Sequence, residues 1–236
     1  MKTGKGRCSY CKGVFSKAGV VRHLATCAAR PERLAESQDC FWLAVAGADD
    51  PRYWMYLEAP VTETLYGLDR FLRDIWLACC GHLSLFYIAG VEYLSDPADE
   101  DESDPDFYGD DYDDLAEKDM DFELRDVLRE GMQFIHAYDF GSTTRLKLKV
   151  VGRRAGGKGD IAIMARNLAP DIECSYCANP AEKVCSVCQW DDSGWLCGKC
   201  AGEHEHGEGY LLPVVNSPRV GVCAYCGGDY EEDENE

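Results

Sequence analysis

Ten of the chain's fourteen cysteines fall into five C-x-x-C pairs, starting at Cys8, Cys174, Cys185, Cys197 and Cys223. A C-x-x-C turn presents two thiolates from one knuckle, and zinc takes four N or S ligands in a tetrahedron. The N-terminal MKTGKGRCSY has no apolar export segment. The pattern therefore predicts zinc ligation in a reducing, cytoplasmic compartment rather than a disulfide framework. No apolar run approaches the length that spans a bilayer, so no membrane contact is expected.

The first pair belongs to Cys8-x2-Cys11-x11-His23-x3-Cys27. His23 and Cys27 are four apart, which on a helix sets both on one face toward one metal. Phe15, Val20 and Leu24 supply a minimal core between knuckle and helix. A unit this small folds only with its ion, so metal affinity is part of its folding free energy. These twenty residues resemble the C2HC variant of the zinc finger. Lys12, Lys17 and Arg22 on it are candidate phosphate contacts.

At the other end, Cys174-x2-Cys177 and Cys197-x2-Cys200 enclose Cys185-x2-Cys188, and His204-x-His206 follows. The interleaving predicts a cross-brace, the outer pairs holding one zinc and the inner pair with the histidines a second. A sequential arrangement is the alternative. In it Cys174, Cys177, Cys185 and Cys188 share one ion, and Cys197 and Cys200 join the histidines or Cys223 and Cys226. Either way the zinc is saturated by protein ligands and structural rather than catalytic, and three ions per chain are expected in all. The phrase C-x-x-C…LC-x-x-C…H-x-H resembles a B-box zinc finger, which implies protein interaction and a protein partner. The module is acidic, so it is a poor phosphate binder by itself.

The formal net charge of −19 conceals a strong partition. Residues 1–33 hold eight Lys/Arg and one acid, and residues 142–166 hold seven and one. Residues 96–121 hold fourteen acids and one lysine, and the last eight residues six acids. Two basic islands are thus set against two acidic segments, so the net charge says little about any one surface. The segment 96–121 reads as a solvated acidic loop.

Between the cysteine clusters the periodicity changes. Residues 41–47 and 53–58 read as strands, and Leu65, Leu68, Leu72, Ile75, Trp76 and Cys79 recur at helical spacing up to a stop at Gly81. LSLFYIAGVEYL reads as one strand, and a second helix is expected from an Asp121 cap to Gly131. Three strands follow. In the middle one Leu146, Leu148 and Val150 alternate with Arg145, Lys147 and Lys149, giving a half-buried strand with a basic outer face. RRAGGKGD is the expected turn after it. The fold class is α+β, a small mixed or antiparallel sheet with inserted helices, flanked by two small zinc-binding modules.

The order LYGLDRFLRDIW, HLSLFYIAGVEY, acidic insert, LRDVLREGMQFIHAYDFG, LKLKV over residues 41–155 resembles the plasmid pRiA4b open-reading-frame-three-like family. That resemblance implies association with plasmids and mobile elements and no established chemistry. The family pattern continues YDFGD-x-W-x-H where this chain has Ser142, Thr144 and Leu146, so a site built on those residues would be missing here. His82, His136 and Asp139 are expected to fix strand ends rather than to catalyse. Cys40, Cys79 and Cys80 are expected as core thiols.

The expected organisation is a finger at 1–33, the α+β domain at 38–166, a B-box-like two-zinc module at 167–228 and an acidic tail at 229–236. The expected function is non-catalytic recognition of protein, nucleic acid or both. The alternatives are a DNA- or RNA-binding regulator using the finger and residues 145–149, or an enzyme with an unidentified central site.

Overall fold

The computed structural model describes residues 4–30, 38–96, 117–157, 159–191 and 193–228. The acidic loop expected at 96–121 falls mostly on residues 97–116, outside the described residues, as does the tail 229–236.

The alternation along residues 38–47 and 144–156 sets the architecture. Strand β3 (Gln38–Gly47) pairs antiparallel along its whole length with β9 (Thr144–Gly156). Phe41, Leu43 and Val45 of β3 and Leu146, Leu148 and Val150 of β9 are buried on one face. Strands β4 (Trp54–Pro60), β8 (Gln133–Tyr138), β5 (Ser84–Ile88), β6 (Val91–Leu94) and β10 (Ala162–Asn167) extend this pair, and the two-residue β7 (Glu117–Lys118) edges it. The order is β2-β1-β10-β4-β3-β9-β8-β5-β6-β7, antiparallel except for β6 with β7. Strands β1 (Lys5–Cys8) and β2 (Val14–Ser16) carry the knuckle of the N-terminal finger, so the finger prolongs the central sheet.

Helix α2 (Leu65–Leu72) covers the inner face. Thr64 caps it, Oγ1 accepting from the Gly67 N–H at 3.0 Å. Leu65, Leu68 and Leu72 are fully buried, each stabilising by roughly 1.5–3 kcal/mol. A π-helical turn, Arg73–Leu77, ends the helix, with the Ala78 N–H reaching back to Arg73 O. Ile75, Trp76 and Leu77 are all buried although consecutive, because the C-terminal segment covers the side turned away from the sheet. Ser217 donates to Trp76 O at 2.7 Å, and Tyr225 to Ile75 O at 3.5 Å. The helix therefore stops before the expected Gly81.

Three more expectations change. The strand expected over LSLFYIAGVEYL is a hairpin, β5–β6, turning at Ala89 and Gly90, both with positive φ. The helix expected up to Gly131 is the single turn α3 (Leu124–Val127), preceded by Glu123 rather than an Asp121 cap. Tertiary backbone bonds take its amides instead: Leu124 N–H donates to Glu63 O and Arg125 N–H to Val61 O. Finally, RRAGG is not all turn, since Arg153–Gly156 stay in β9 opposite Gln38–Phe41.

On the outer face the finger's helix α1 (Lys17–Thr26) packs with Trp54, Tyr56, Met164 and Ala165, alongside Cys8, Val20, Leu24 and Cys27. Ser16 caps α1 through the Gly19 N–H at 3.1 Å. The C-terminal region holds a separate three-stranded sheet of β11 (Lys183–Cys185), β12 (Trp195–Leu196) and β13 (Leu211–Pro213), plus the short helix α4 (Gly198–Gly202). Among the described residues no helix is long and apolar enough to cross a membrane.

Gly6 lies where β1 crosses Trp54. A Cβ there would overlap the indole and sit 2.5 Å from Arg166 O. Gly6→Val is expected to destabilise the fold by ~1–3 kcal/mol, read from a urea melt of the metal-loaded chain.

Candidate functional site

Cys8, Cys11, His23 and Cys27 meet at the junction of β1, α1 and the sheet, their ligand atoms all within 4.8 Å of one another. Cys8 and Cys27 sulfurs are 4.0 Å apart, and Cys11 Sγ is 3.2 Å from His23 Nε2. A tetrahedron with zinc–sulfur bonds of about 2.3 Å has edges of about 3.8 Å, slightly shorter where imidazole replaces sulfur. Phe15 stacks on the His23 ring at 4.1 Å between centroids, holding its orientation.

The structure groups Cys174 and Cys177 with Cys197 and Cys200, and Cys185 and Cys188 with His204 and His206. The first set spans the turn after residue 172 and the start of α4, with Cys177 Sγ 3.6 Å from Cys197 and 3.9 Å from Cys200. In the second, Cys188 Sγ lies 3.5 Å from His204 Nε2 and 3.2 Å from His206 Nδ1. The grouping is the interleaved one. β11, which ends on Cys185 of the second set, pairs with both β12 and β13.

A fourth set joins residues far apart in the sequence. Cys79, Cys80 and His82 meet Cys223, all four ligand atoms within 4.8 Å. Cys79 and Cys80 are therefore not core thiols: Cys80 is exposed and Cys79 half-buried. Two leftovers signalled it, a Cys-Cys-x-His run short of a fourth ligand and a fifth C-x-x-C pair without a partner. Only the fold brings them together. The donor chemistry of all four sets is consistent with zinc, and the structure offers four such sets where the spacing predicted three ions.

The buried polar residues of the central domain bond to one another. His136 Nε2 and Ser84 Oγ both bond to Asp69 Oδ1, at 2.7 and 2.6 Å, and Arg73 pairs with Oδ2 at 2.8 Å. Serine and histidine thus both meet the carboxylate, which is not the order of a nucleophile–base relay. All three of Asp69, Ser84 and His136 are buried. Asp139 adopts φ +66 and ties the YDFG turn, accepting from the amides of Gly141 and Ser142, from Ser142 Oγ and from Arg219. Burial works against its charge, but the Ser142 and Arg219 hydrogen bonds prevail and hold the carboxyl well below the usual range.

The outer sheet face beyond the finger stays open. Register places Trp54, Ala46, Lys147, Ile135 and Tyr87 in one row across β4, β3, β9, β8 and β5. Lys149 and Arg145 flank Lys147 on β9, about 7 Å away along the strand. A groove of about 520 Å³ is lined by Leu85, Tyr87, Ile135, Ala137 and Phe140, with Arg145 and Lys147. Tyr87 on β5 and Phe140 in the turn after β8 are 43% and 50% exposed, beside a sheet whose other aromatics are largely covered. Asp49 also lines the groove.

The six candidate phosphate contacts do not all converge. Arg145, Lys147 and Lys149 line the open face and are exposed, and Arg22 is exposed on α1. Lys17 is half-buried with Nζ 5.9 Å over the Trp54 ring, which lowers its pKa by desolvation. Lys12 points instead into a cleft with Arg7, Arg166 and Phe71 on another side of the molecule.

No protein family and no curated protein matches the sequence. The resemblance of residues 41–155 to the pRiA4b-type family is therefore one of short motifs only. Among solved structures, a protein of unknown function from Methanosarcina mazei Go1, MM3350, aligns at a TM-score of 0.42 and 14% identity. The alignment covers 54% of this chain and 67% of that one.

Cys40 is the cysteine outside all four sets and the C-x-x-C pairs, buried in β3. Burial, then the Glu58 carboxylate nearby, pushes its thiol up to about 11. At pH 8 it is expected to remain a thiol and to escape iodoacetamide in the folded chain, reacting only in denaturant, as peptide mass mapping would show. Chelation of zinc should raise hydrogen exchange in residues 4–30 and 174–213 while the β3–β9 pair stays protected, since the former carry the candidate ligands and contribute few residues to the apolar core.

Proposed function

We propose that the chain is a zinc-built, non-catalytic recognition protein whose open sheet face binds single-stranded nucleic acid. The observation that carries this reading is the coincidence on one face of a basic column, Arg145, Lys147 and Lys149, with two exposed aromatics, Tyr87 and Phe140. Cations follow a phosphate backbone and supply salt-dependent affinity. Exposed rings stack on bases, adding roughly 1–3 kcal/mol per base without regard to sequence. A β-sheet face with aromatics and flanking cations suits splayed single strands, whereas a duplex hides its bases from such a surface. Arg22 of the finger is a further exposed cation, from the other basic island. The zinc sets act as scaffolding in this reading: Cys8, Cys11, His23 and Cys27 hold the finger, and the two C-terminal sets hold the module beyond β10.

A second reading concerns the C-terminal module alone. Trp190, Tyr176 and Tyr210 are 69%, 60% and 53% exposed on a small acidic unit. Aromatics so placed suit a protein partner, since such residues dominate binding hot spots.

The measurement is fluorescence anisotropy of labelled oligo-dT and oligo-U with the zinc-loaded chain. Affinity should fall steeply between 50 and 200 mM salt. Lys147→Glu should weaken binding at least tenfold and flatten the salt slope. Tyr87→Ala should weaken it about tenfold with the slope unchanged, and Trp190→Ala should leave it unaltered. Equal affinity for duplex DNA, or indifference to Lys147→Glu, defeats this assignment.

A further inference from the structure

We propose that Cys79, Cys80, His82 and Cys223 bind a fourth zinc ion, which clasps the C-terminal segment 217–226 onto the end of helix α2. The four residues stand where the π-helical turn releases the chain toward β5, met by a segment 141 to 144 positions later. Cys80 Sγ is 3.6 Å from Cys79, 3.7 Å from Cys223 and 2.9 Å from His82 Nε2, and Cys223 Sγ is 3.7 Å from that nitrogen. The 3.6 and 3.7 Å separations are those of a tetrahedron around one zinc, and the Cys80–His82 pair stands closer than its ideal edge. No S–S pair among them stands at the 2.05 Å of a disulfide.

A second observation points to the charge that such a site carries. Three thiolates and one neutral imidazole on Zn2+ leave one net negative charge. Arg219 is completely buried beside them. Its Nη2 donates to Cys79 Sγ at 3.3 Å and to Asp139 Oδ2 at 2.6 Å, and Nη1 donates to Thr144 Oγ1 and Ser142 O. A guanidinium held against a ligating sulfur is an outer-shell partner that orients a thiolate, and Asp139 pairs its charge. Binding converts three thiols to thiolates and releases their protons to solvent.

The backbone supplies a third. Cys223 holds φ +56, a conformation that non-glycine residues rarely adopt, and a metal bond at that residue keeps it there. Around it, residues 214–228 contain no strand or helix, yet Ser217, Arg219 and Tyr225 are buried against the helix end. A cross-link suits a segment that has no ladder of its own. Cys226 lies outside the set, with its sulfur on Ala224 O at 3.4 Å.

The test separates this ion from the other three and from nucleic-acid binding. Native mass spectrometry of the zinc-loaded chain should show four ions, three in Cys80→Ser and in Cys223→Ser, and four in Cys226→Ser. Three ions in the unaltered chain, or four retained in Cys223→Ser, overturns the site. Loss of an ion in Cys226→Ser but not in Cys223→Ser overturns the ligand assignment. Should a variant fail to fold, pulsed alkylation of the unaltered chain decides the matter. Cys80, Cys223 and Cys226 are all exposed. Cys226 should react at once, while Cys80 and Cys223 should be protected together and released together by chelator. Prompt reaction of Cys80 or Cys223 in the loaded chain rejects the proposal.

Discussion

Strand β10 has a hydrogen-bonded neighbour on each side, β4 of the central sheet and β1 of the finger, and the architecture follows from that double pairing. A finger of some twenty residues buries too little surface to fold alone. Here it adds two strands to an existing sheet and lays α1 over Trp54 and Tyr56, so the sheet provides a floor that the finger lacks. The sheet gains in turn. Its outer aromatics at β4 would face water without the finger, and they are buried with it.

The candidate metal sets work on the same problem at different distances along the chain. The sets at the finger and in the C-terminal module join residues about twenty positions apart, cross-linking local turns whose apolar content is small. The set at Cys80 joins positions 143 apart. A metal there would tie a segment without regular structure to the end of α2, where Ser217 already bonds to Trp76 O and Arg219 pairs with Asp139. Breaking one partner of that pair would strand a buried charge, so the ion pair and the metal set favour the same placement of residues 217–223.

The charge partition takes on a spatial meaning. With a net charge of −19 the chain as a whole repels a polyanion, yet β9 points Arg145, Lys147 and Lys149 to one face and its aliphatic residues to the other. The period of two does this without help from the rest of the sequence. The finger occupies one half of that outer face, and the uncovered half is where Tyr87 and Phe140 remain exposed. The finger's helix and the basic strand thus share the outer face, although Lys12 lines a cleft elsewhere.

The ligand spacings of the finger and of the interleaved pairs, the alternation of β9 and the apolar stripe of α2 are local patterns, so the sequence by itself determined the α+β class, the residues able to hold metal there and the basic strand. What depends on the whole chain was not legible. α3 shrank to one turn because its amides bond to residues 61 and 63, and β9 ran on through Arg153–Gly156 because β3 was there to pair with it. The joining of finger and core into one sheet has no local signature, since antiparallel partners recognise each other only through backbone groups. Cys79, Cys80, His82 and Cys223 are the sharpest case. Each half is an incomplete ligand set, and only the packing of residues 217–225 over Trp76 brings the two within bonding distance of one ion.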